Sequence, residues 1–225
     1  DAGIGQQPYY VTSLDFTLTT GTLRHALTQS NRVIVFEIGG RMEMPQGGMT
    51  VTGSNLTVAG ETAPAPGIII QGGDFKIGAV QNVHFRHITW ERGHDDRVTC
   101  FSNGDGLLLT NTSATNPCEN VWFDHCAILW GNDELVSMWP TTSTARGIVR
   151  NISFSNCIFA EPLWRPEQVA KPGGGYYRGH YEGTNADGSC KTEYNHNYGM
   201  IIGYTTRNID IQYSAFVDCN NRCPF

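Results

Sequence analysis

Charge is scarce in this chain: Asp, Glu, Lys and Arg make up 16% of its 225 residues, against about 25% in an average soluble domain. Helical proteins solvate themselves with Lys and Glu, so long helices and coiled coils are excluded. Basic residues are the scarcer sign, 15 Lys and Arg against 21 Asp and Glu for a net charge of −6, and nowhere do they cluster. The electrostatic footprint for nucleic acid or an anionic membrane is therefore missing. No stretch approaches the ~20 uninterrupted apolar residues of a membrane span. The opening Asp1-Ala2-Gly3-Ile4-Gly5 has neither the basic nor the apolar region of a signal peptide, so the chain reads as soluble, and mature or trimmed. Paired CxxC zinc spacings are also absent, although there are seven cysteines, Cys100, Cys118, Cys126, Cys157, Cys190, Cys219 and Cys223. So many thiols suit an oxidising compartment, and one expectation is export, extracellular or periplasmic, with two or three disulfides. The other is that several are buried strand residues acting as small apolar groups. Cys126 and Cys157, at equivalent repeat positions, favour the second.

What the chain does have is a recurring phrase, an Asn followed by alternating apolar residues. It appears as Asn55-Leu56-Thr57-Val58, Asn82-Val83-His84-Phe85, Asn120-Val121-Trp122-Phe123, Asn151-Ile152-Ser153-Phe154 and Asn208-Ile209-Asp210-Ile211. Successive starts lie 27, 38, 31 and 57 residues apart, too irregular for a helical repeat and suited to strands joined by variable loops. Period-2 alternation of Val, Ile and Phe predicts strands. In three phrases a second apolar group follows a polar bend: Ile88-Thr89-Trp90, Ala127-Ile128-Leu129-Trp130 and Cys157-Ile158-Phe159. Strand, bend, strand in every repeat predicts an all-β fold, a right-handed parallel β-helix whose stacked coils bury a continuous core.

The repeated Asn suits a tight bend, either hydrogen-bonded along the stack or as a plain turn residue. Residues 21–28, with Leu23 and Leu27 on one face and Thr20 or Thr22 as cap, predict a short helix in an N-terminal cap over about 1–30. It would close an otherwise open sheet edge. The Gly- and Tyr-rich interval 162–197 breaks the repeat and reads as a long loop insertion. The whole, 1–225, reads as one domain.

With the repeats placed, several phrases resemble polysaccharide lyase family 1, the pectate lyases, and especially its bacterial branch. Leu56-Thr57-Val58-Ala59-Gly60-Glu61-Thr62-Ala63-Pro64 is similar to that branch's TIAGQTAP phrase, and Asn120-Val121-Trp122-Phe123-Asp124-His125-Cys126 to the family's vWIDH strand. Trp130-Gly131-Asn132-Asp133-Glu134 is similar to SWxxDE, residues 196–203 to HxxxxLIG, and Asn221-Arg222-Cys223-Pro224 to the start of RxPxxR. These matches run in family order from about residue 20 to the C-terminus.

The resemblance implies calcium-assisted β-elimination of an acidic polysaccharide, a uronic-acid polymer such as pectate. Elimination removes the proton beside a uronate carboxylate and builds negative charge there, which a divalent cation held by protein acids would stabilise. By position the resemblance makes Asp124 and Asp133 calcium ligands, with Glu134 beside them, and Ser137 stands where the family has a further acid. It makes Arg222 the Brønsted base, puts Tyr198 at a substrate-binding position where many members carry lysine, and leaves Arg86 a candidate for binding substrate carboxylate. The family continues for further coils, so another segment or another polypeptide would complete the helix.

His125 reads as a packed strand histidine, His94, Asp95 and Asp96 as a solvated turn, and Trp90, Trp122, Trp130, Trp139 and Trp164 as packing groups or sugar-stacking surfaces. Two other classes compete with the lyase. One is a non-catalytic β-helical carbohydrate-binding or structural module. The other is a hydrolase using Asp133 and Glu134, which needs an irregular backbone because neighbouring strand residues face opposite sides.

Overall fold

Apolar alternation over short segments, with a bend residue between them, folds here into strands that stack coil upon coil. The computed structural model describes residues 7–45, 47–93, 104–111, 115–140, 148–162, 169–170, 176–177, 198–219 and 221–223. Three parallel sheets run the length of a right-handed parallel β-helix. The first holds Tyr9–Val11, Arg32–Phe36, Leu56–Ala59, Gln81–Arg86, Cys118–Asp124, Val149–Ser155 and Arg207–Gln212. The second holds Gly40–Glu43, Ile68–Gln71, Ile88–Glu91, Ala127–Leu129, Ile158–Ala160 and Ala215–Val217. The third holds Met49–Val51, Phe75–Ile77, Leu107–Leu109, Glu134–Met138 and Tyr198–Ile202. The Asn phrases all fall on the first sheet, and the second apolar groups on the second.

The bends are made by single residues in the left-handed region. Within the first-sheet phrases Asn55, Asn82, Asn120, Asn151 and Asn208 have φ between 54 and 56°, a conformation Asn tolerates better than most side chains. Their amides form a ladder. Asn82 Nδ2 donates to Asn55 Oδ1 at 2.8 Å, Asn120 to Asn82, Asn151 to Asn120 and Asn208 to Asn151, each at 2.9 Å, and Asn55 donates to Asn31 at 2.7 Å. His87, His125, Asn156 and Tyr213 turn the chain from the first sheet to the second, and Gly93, Trp130, Glu161 and Asp218 turn it out of the second, all at φ 51–60°. Replacing Asn120 by Ala removes two ladder bonds and leaves a Cβ in a conformation it disfavours, so stability should fall by about 2–4 kcal/mol. Asn120→Gly, which keeps the backbone freedom and loses only the bonds, should fall by about half as much; urea denaturation at constant m distinguishes the two contributions.

The inward residues stack like the strands. The Phe85 and Phe123 rings lie 5.4 Å apart and those of Phe123 and Phe154 4.6 Å, nearly parallel, and Trp90 packs edge-on against Phe75, Phe85 and Phe123. Cys126 and Cys157 are buried in the same core. The five described cysteines, these two with Cys118, Cys219 and Cys223, are free thiols; Cys100 and Cys190 lie outside the described residues.

The helix is Leu23–Leu27, with Thr22 as N-cap accepting from the His25 amide and Leu23, Ala26 and Leu27 buried against the core. At the opposite end, inward Ile209, Ile211 and Phe216 are only partly buried, although Ile152, Phe154 and Phe159 one coil earlier are fully so. Of the expected insertion 162–197, the structure describes Pro162 and one antiparallel pair, Val169–Ala170 with Tyr176–Tyr177. No helix among the described residues is long and apolar enough to cross a membrane.

Candidate functional site

The third sheet positions the site, at the N-terminal ends of three consecutive strands. Leu107 pairs with Val136 and Glu134 with Tyr198, so Asp105, Glu134 and Tyr198 occupy one level on adjacent coils. Backbone contacts hold that level. The Asn132 amide donates to the Gly104 carbonyl at 2.8 Å, the Gly106 amide to the Glu134 carbonyl at 2.9 Å and the Tyr198 amide to the Asp133 carbonyl at 2.9 Å. Carboxylate oxygens of Asp105, Asp133 and Glu134 lie within 4.8 Å of one another. Asp133 precedes its strand instead of belonging to it, which is how two adjacent acids reach the same place.

Asp105 carries the strongest electrostatic signature. Its pKa is pushed up to about 8, first by burial and then by the charges of Asp133 and Asp74, against the opposing Ser137 hydrogen bond and Arg92 charge. The Glu134 amide also donates to Asp105 Oδ1 at 3.2 Å. A buried carboxyl group whose ionisation is opposed by its acidic neighbours is what a hard divalent cation would relieve, and an all-oxygen donor set suits calcium. The residues therefore fit such an ion. Around them, Arg92 is buried and pairs with Asp74 at 3.3 Å. Arg222 forms an ion pair with Glu134, whose side chain is 5% exposed, and its Cζ lies 4.1 Å from the Tyr198 ring centroid. The Arg222 carbonyl accepts from the Met200 amide at 2.6 Å and the Asn221 carbonyl from the Gly199 amide at 2.9 Å. Gly199 makes that approach possible, because a Cβ there would stand 2.8 Å from the Arg222 carbonyl oxygen.

Of the residues expected from sequence, Asp133, Glu134, Tyr198 and Arg222 are thus brought together. Asp124 and Arg86 are not. They end neighbouring strands of the first sheet and pair with each other in register. Arg86 is ion-paired with Glu61. Asp124 accepts from Ser155 Oγ at 2.8 Å, His125 Nδ1 at 2.9 Å and Asn156 Nδ2 at 3.1 Å, bracing the corner of two coils. Burial opposes its ionisation, but the hydrogen bonds from Asn156 and Ser155 and the His125 charge outweigh it and hold its pKa below the ordinary value. The expectation that Asp124 shares an ion with Asp133 meets this obstacle: a turn at His125 separates the two acids onto different sheets.

A depressed carboxylate contributes stability above its unfolded pKa and loses it as pH falls through the folded one. Asp124→Asn should therefore cost about 1 kcal/mol at neutral pH and less in acid, with any thermal response to calcium unchanged; melts with and without calcium check both.

Asp105 is invisible from the Asn phrases, because these mark only the first sheet and it precedes a strand of the third. The signal available was Gly104-Asp105-Gly106 directly before Leu107-Leu108-Leu109, an acid between two glycines at a strand entry. Gly104 has its own role: a Cβ there would fall 2.2 Å from the Arg92 guanidinium. The aromatic candidates divide. Trp90 is core, Trp122 is exposed beside His84, Trp130 donates to Glu161 at 3.0 Å, and exposed Trp139 meets Tyr204 edge-on. His125 stacks on His87 at 4.9 Å. His94, Asp95, Asp96 and Trp164 lie outside the described residues.

A parallel β-helix presenting a carboxylate cluster and an arginine on one sheet is thereby defined. In sequence the chain is similar to proteins named "Probable pectate lyase C". It is 29% identical over 161 residues to the one from Emericella nidulans, covering 72% of this chain and 34% of that protein. It is also 29% identical over 143 residues to that of Aspergillus flavus, 64% of this chain and 30% of that protein, and 29% over 161 residues to that of Aspergillus fumigatus, 72% and 34%. The chain spans about a third of the length of these curated relatives, which are fungal. No family model matches the chain.

Proposed function

We propose that the chain is the site-bearing part of a secreted polysaccharide lyase that cleaves a uronic-acid polymer, pectate or a close analogue, by β-elimination. The observation that carries this reading is Arg222, held against Glu134 beside the Asp105, Asp133 and Glu134 carboxylates. The pectate lyase relatives support it at the level of reaction class.

In this reading Asp105, Asp133 and Glu134 hold calcium, with Asp105 standing where sequence alone suggested Asp124. A calcium ion held there would supply positive charge to the substrate carboxylate and so acidify the adjacent carbon-bound proton. Arg222 takes that proton. The carbon–oxygen bond to the departing sugar breaks, a carbon–carbon double bond forms, and the departing oxygen is protonated from solvent. A guanidinium holds its proton near neutral pH, so little of the basic form exists there, and the protein must position Arg222 tightly and keep it near the proton. The backbone bonds to Gly199 and Met200 and the Tyr198 ring do that positioning. Tyr198, level with Glu134, also offers a ring face and hydroxyl to a sugar, whereas Arg86 would meet substrate only where the polymer reaches the first sheet. The half-covered last coil suits a further segment or another polypeptide stacking on it.

Ultraviolet absorbance of the unsaturated product, followed on polygalacturonate with calcium and then with chelator, tests the reading. Growth that requires calcium is expected. Binding to the polymer with no absorbance change in either condition would overturn the lyase in favour of a non-catalytic carbohydrate-binding module.

A further inference from the structure

Arg222 is flanked by two thiols, one directly after it in the chain and one three residues before. The Cys223 thiol donates to the Cys219 carbonyl at 3.6 Å and the two sulfhydryls are hydrogen-bonding neighbours. Cys219 also donates to the Val217 carbonyl at 3.6 Å, and its sulfur lies 3.3 Å from where a Gly199 Cβ would be. Both are half-exposed, in contrast to Cys118, Cys126 and Cys157, which are buried. Cys126 and Cys157 are also neighbours, but they sit in the core out of reach of a dissolved reagent. The one accessible pair among the described residues thus brackets the arginine whose backbone turns at φ 51° and whose carbonyl accepts from Met200 of the third sheet.

We propose that Cys219 and Cys223 are a reversible thiol–disulfide pair whose closure locks the Asn221–Arg222 segment against the Tyr198–Ile202 strand and so sets how firmly Arg222 is positioned. The oxidant is a low-molecular-weight disulfide such as glutathione disulfide. A thiolate of the pair attacks one of its sulfurs, releasing one glutathione and leaving a mixed disulfide; the second cysteine then attacks the protein-side sulfur, releasing the other glutathione. Two protein thiols lose two electrons and two protons, and one reagent disulfide becomes two thiols. Partial burial, together with the neighbouring Cys223, raises the Cys219 thiol to about 12, which slows its attack on a dissolved disulfide. The consequence for turnover rests on the reading of Arg222 as the base. The chemistry of the pair does not.

The test treats the folded chain with glutathione disulfide, blocks remaining thiols with a maleimide, and maps peptides by mass spectrometry before and after dithiothreitol. Expected is loss of two hydrogens and of both alkylation sites in the peptide holding Cys219 and Cys223, reversed by dithiothreitol. In Cys219→Ser a glutathione adduct should persist on Cys223. Amide exchange at Gly199 and Met200, which donate to Asn221 and Arg222, should slow about tenfold on oxidation as local opening is restrained. A persistent glutathione adduct on wild-type Cys223, pairing of either cysteine with Cys100 or Cys190, or unchanged exchange at Met200 would overturn the proposal. If the disulfide forms and exchange slows but kcat on polygalacturonate stays the same, control of Arg222 is refuted while the lyase reading stands. If no polymer is cleaved in either redox state, the lyase reading fails and the pair is judged on mass and exchange alone.

Discussion

Arg222→Gln should lower kcat on polygalacturonate by about 10²–10⁴-fold, the usual contribution of a positioned proton acceptor. Glutamine still donates to Glu134, so the nearly buried carboxylate keeps a partner and the fold should survive with a melting temperature close to the parent's. Loss of activity is then not loss of structure. Arg222→Lys separates base from charge. An ammonium keeps the positive charge beside Glu134 and over Tyr198, so a purely electrostatic arginine would be largely replaced wherever the lysine is protonated. A proton acceptor would instead give a rate that climbs with pH, because the amine, with an ordinary pKa of about 10.4, frees its base form at a pH where a guanidinium does not. Absorbance progress curves over a pH series decide. A Gln variant within tenfold of the parent, or a Lys variant with parental rate and a flat profile, would remove Arg222 from the chemistry.

The way sequence and structure diverge at Asp124 and Asp105 follows from how a solenoid is encoded. The first sheet writes itself plainly, because five of its strands carry an Asn in left-handed conformation at or near their start and alternate buried Val, Ile or Phe with outward residues such as His84, Trp122 and Ser153. Fold class and the first-sheet strand positions can be read from that one phrase, which leaves open whether the Asn side chains form a ladder or only turn the chain, and Leu23 and Leu27 with a threonine cap declare the helix. The third sheet is short and carries no marker. Leu107–Leu109 is three residues long, and Glu134–Met138 is buried at every position, since one face meets the core and the other is covered around the acid site. Period 2 disappears when both faces are covered. The resemblance makes Asp124 a ligand by position, whereas the left-handed turn at His125 sends that strand's end away from the third sheet. What brings Asp105 next to Glu134 is register between coils, and register is set by loops whose length follows no repeat. Arg222, placed by the same resemblance, does meet the site, through an ion pair with Glu134 that crosses from the last coil to the one below.

Asp105→Asn should flatten the chain's response to pH and to calcium. With chelator present, the parent carries three crowded carboxylates, and Asp105 titrates near 8 in the folded chain because burial and its acidic neighbours resist its charge. An unfolded Asp titrates near 4. Between those values the folded state binds the proton more tightly than the unfolded one, so stability is fully present at low pH and falls as pH rises toward 8. The chelated parent should accordingly melt lower at pH 8 than at pH 5. Calcium should restore the loss at pH 8, by about 5–10 °C at a concentration near a hundred times its Kd, and do little at pH 5, where it competes with a proton. Asparagine keeps an oxygen to accept from the Glu134 amide and removes the charge. The variant should therefore melt higher than the parent in chelator at pH 8, show a shallower decline between the two pH values, and lose most of the calcium gain. Melts by circular dichroism at the two pH values, with calcium and with chelator, read all three effects. A variant that retains the parent's calcium gain would put the ion elsewhere, and a parent that melts higher at pH 8 than at pH 5 in chelator would mean that the carboxylates are not crowded in solution.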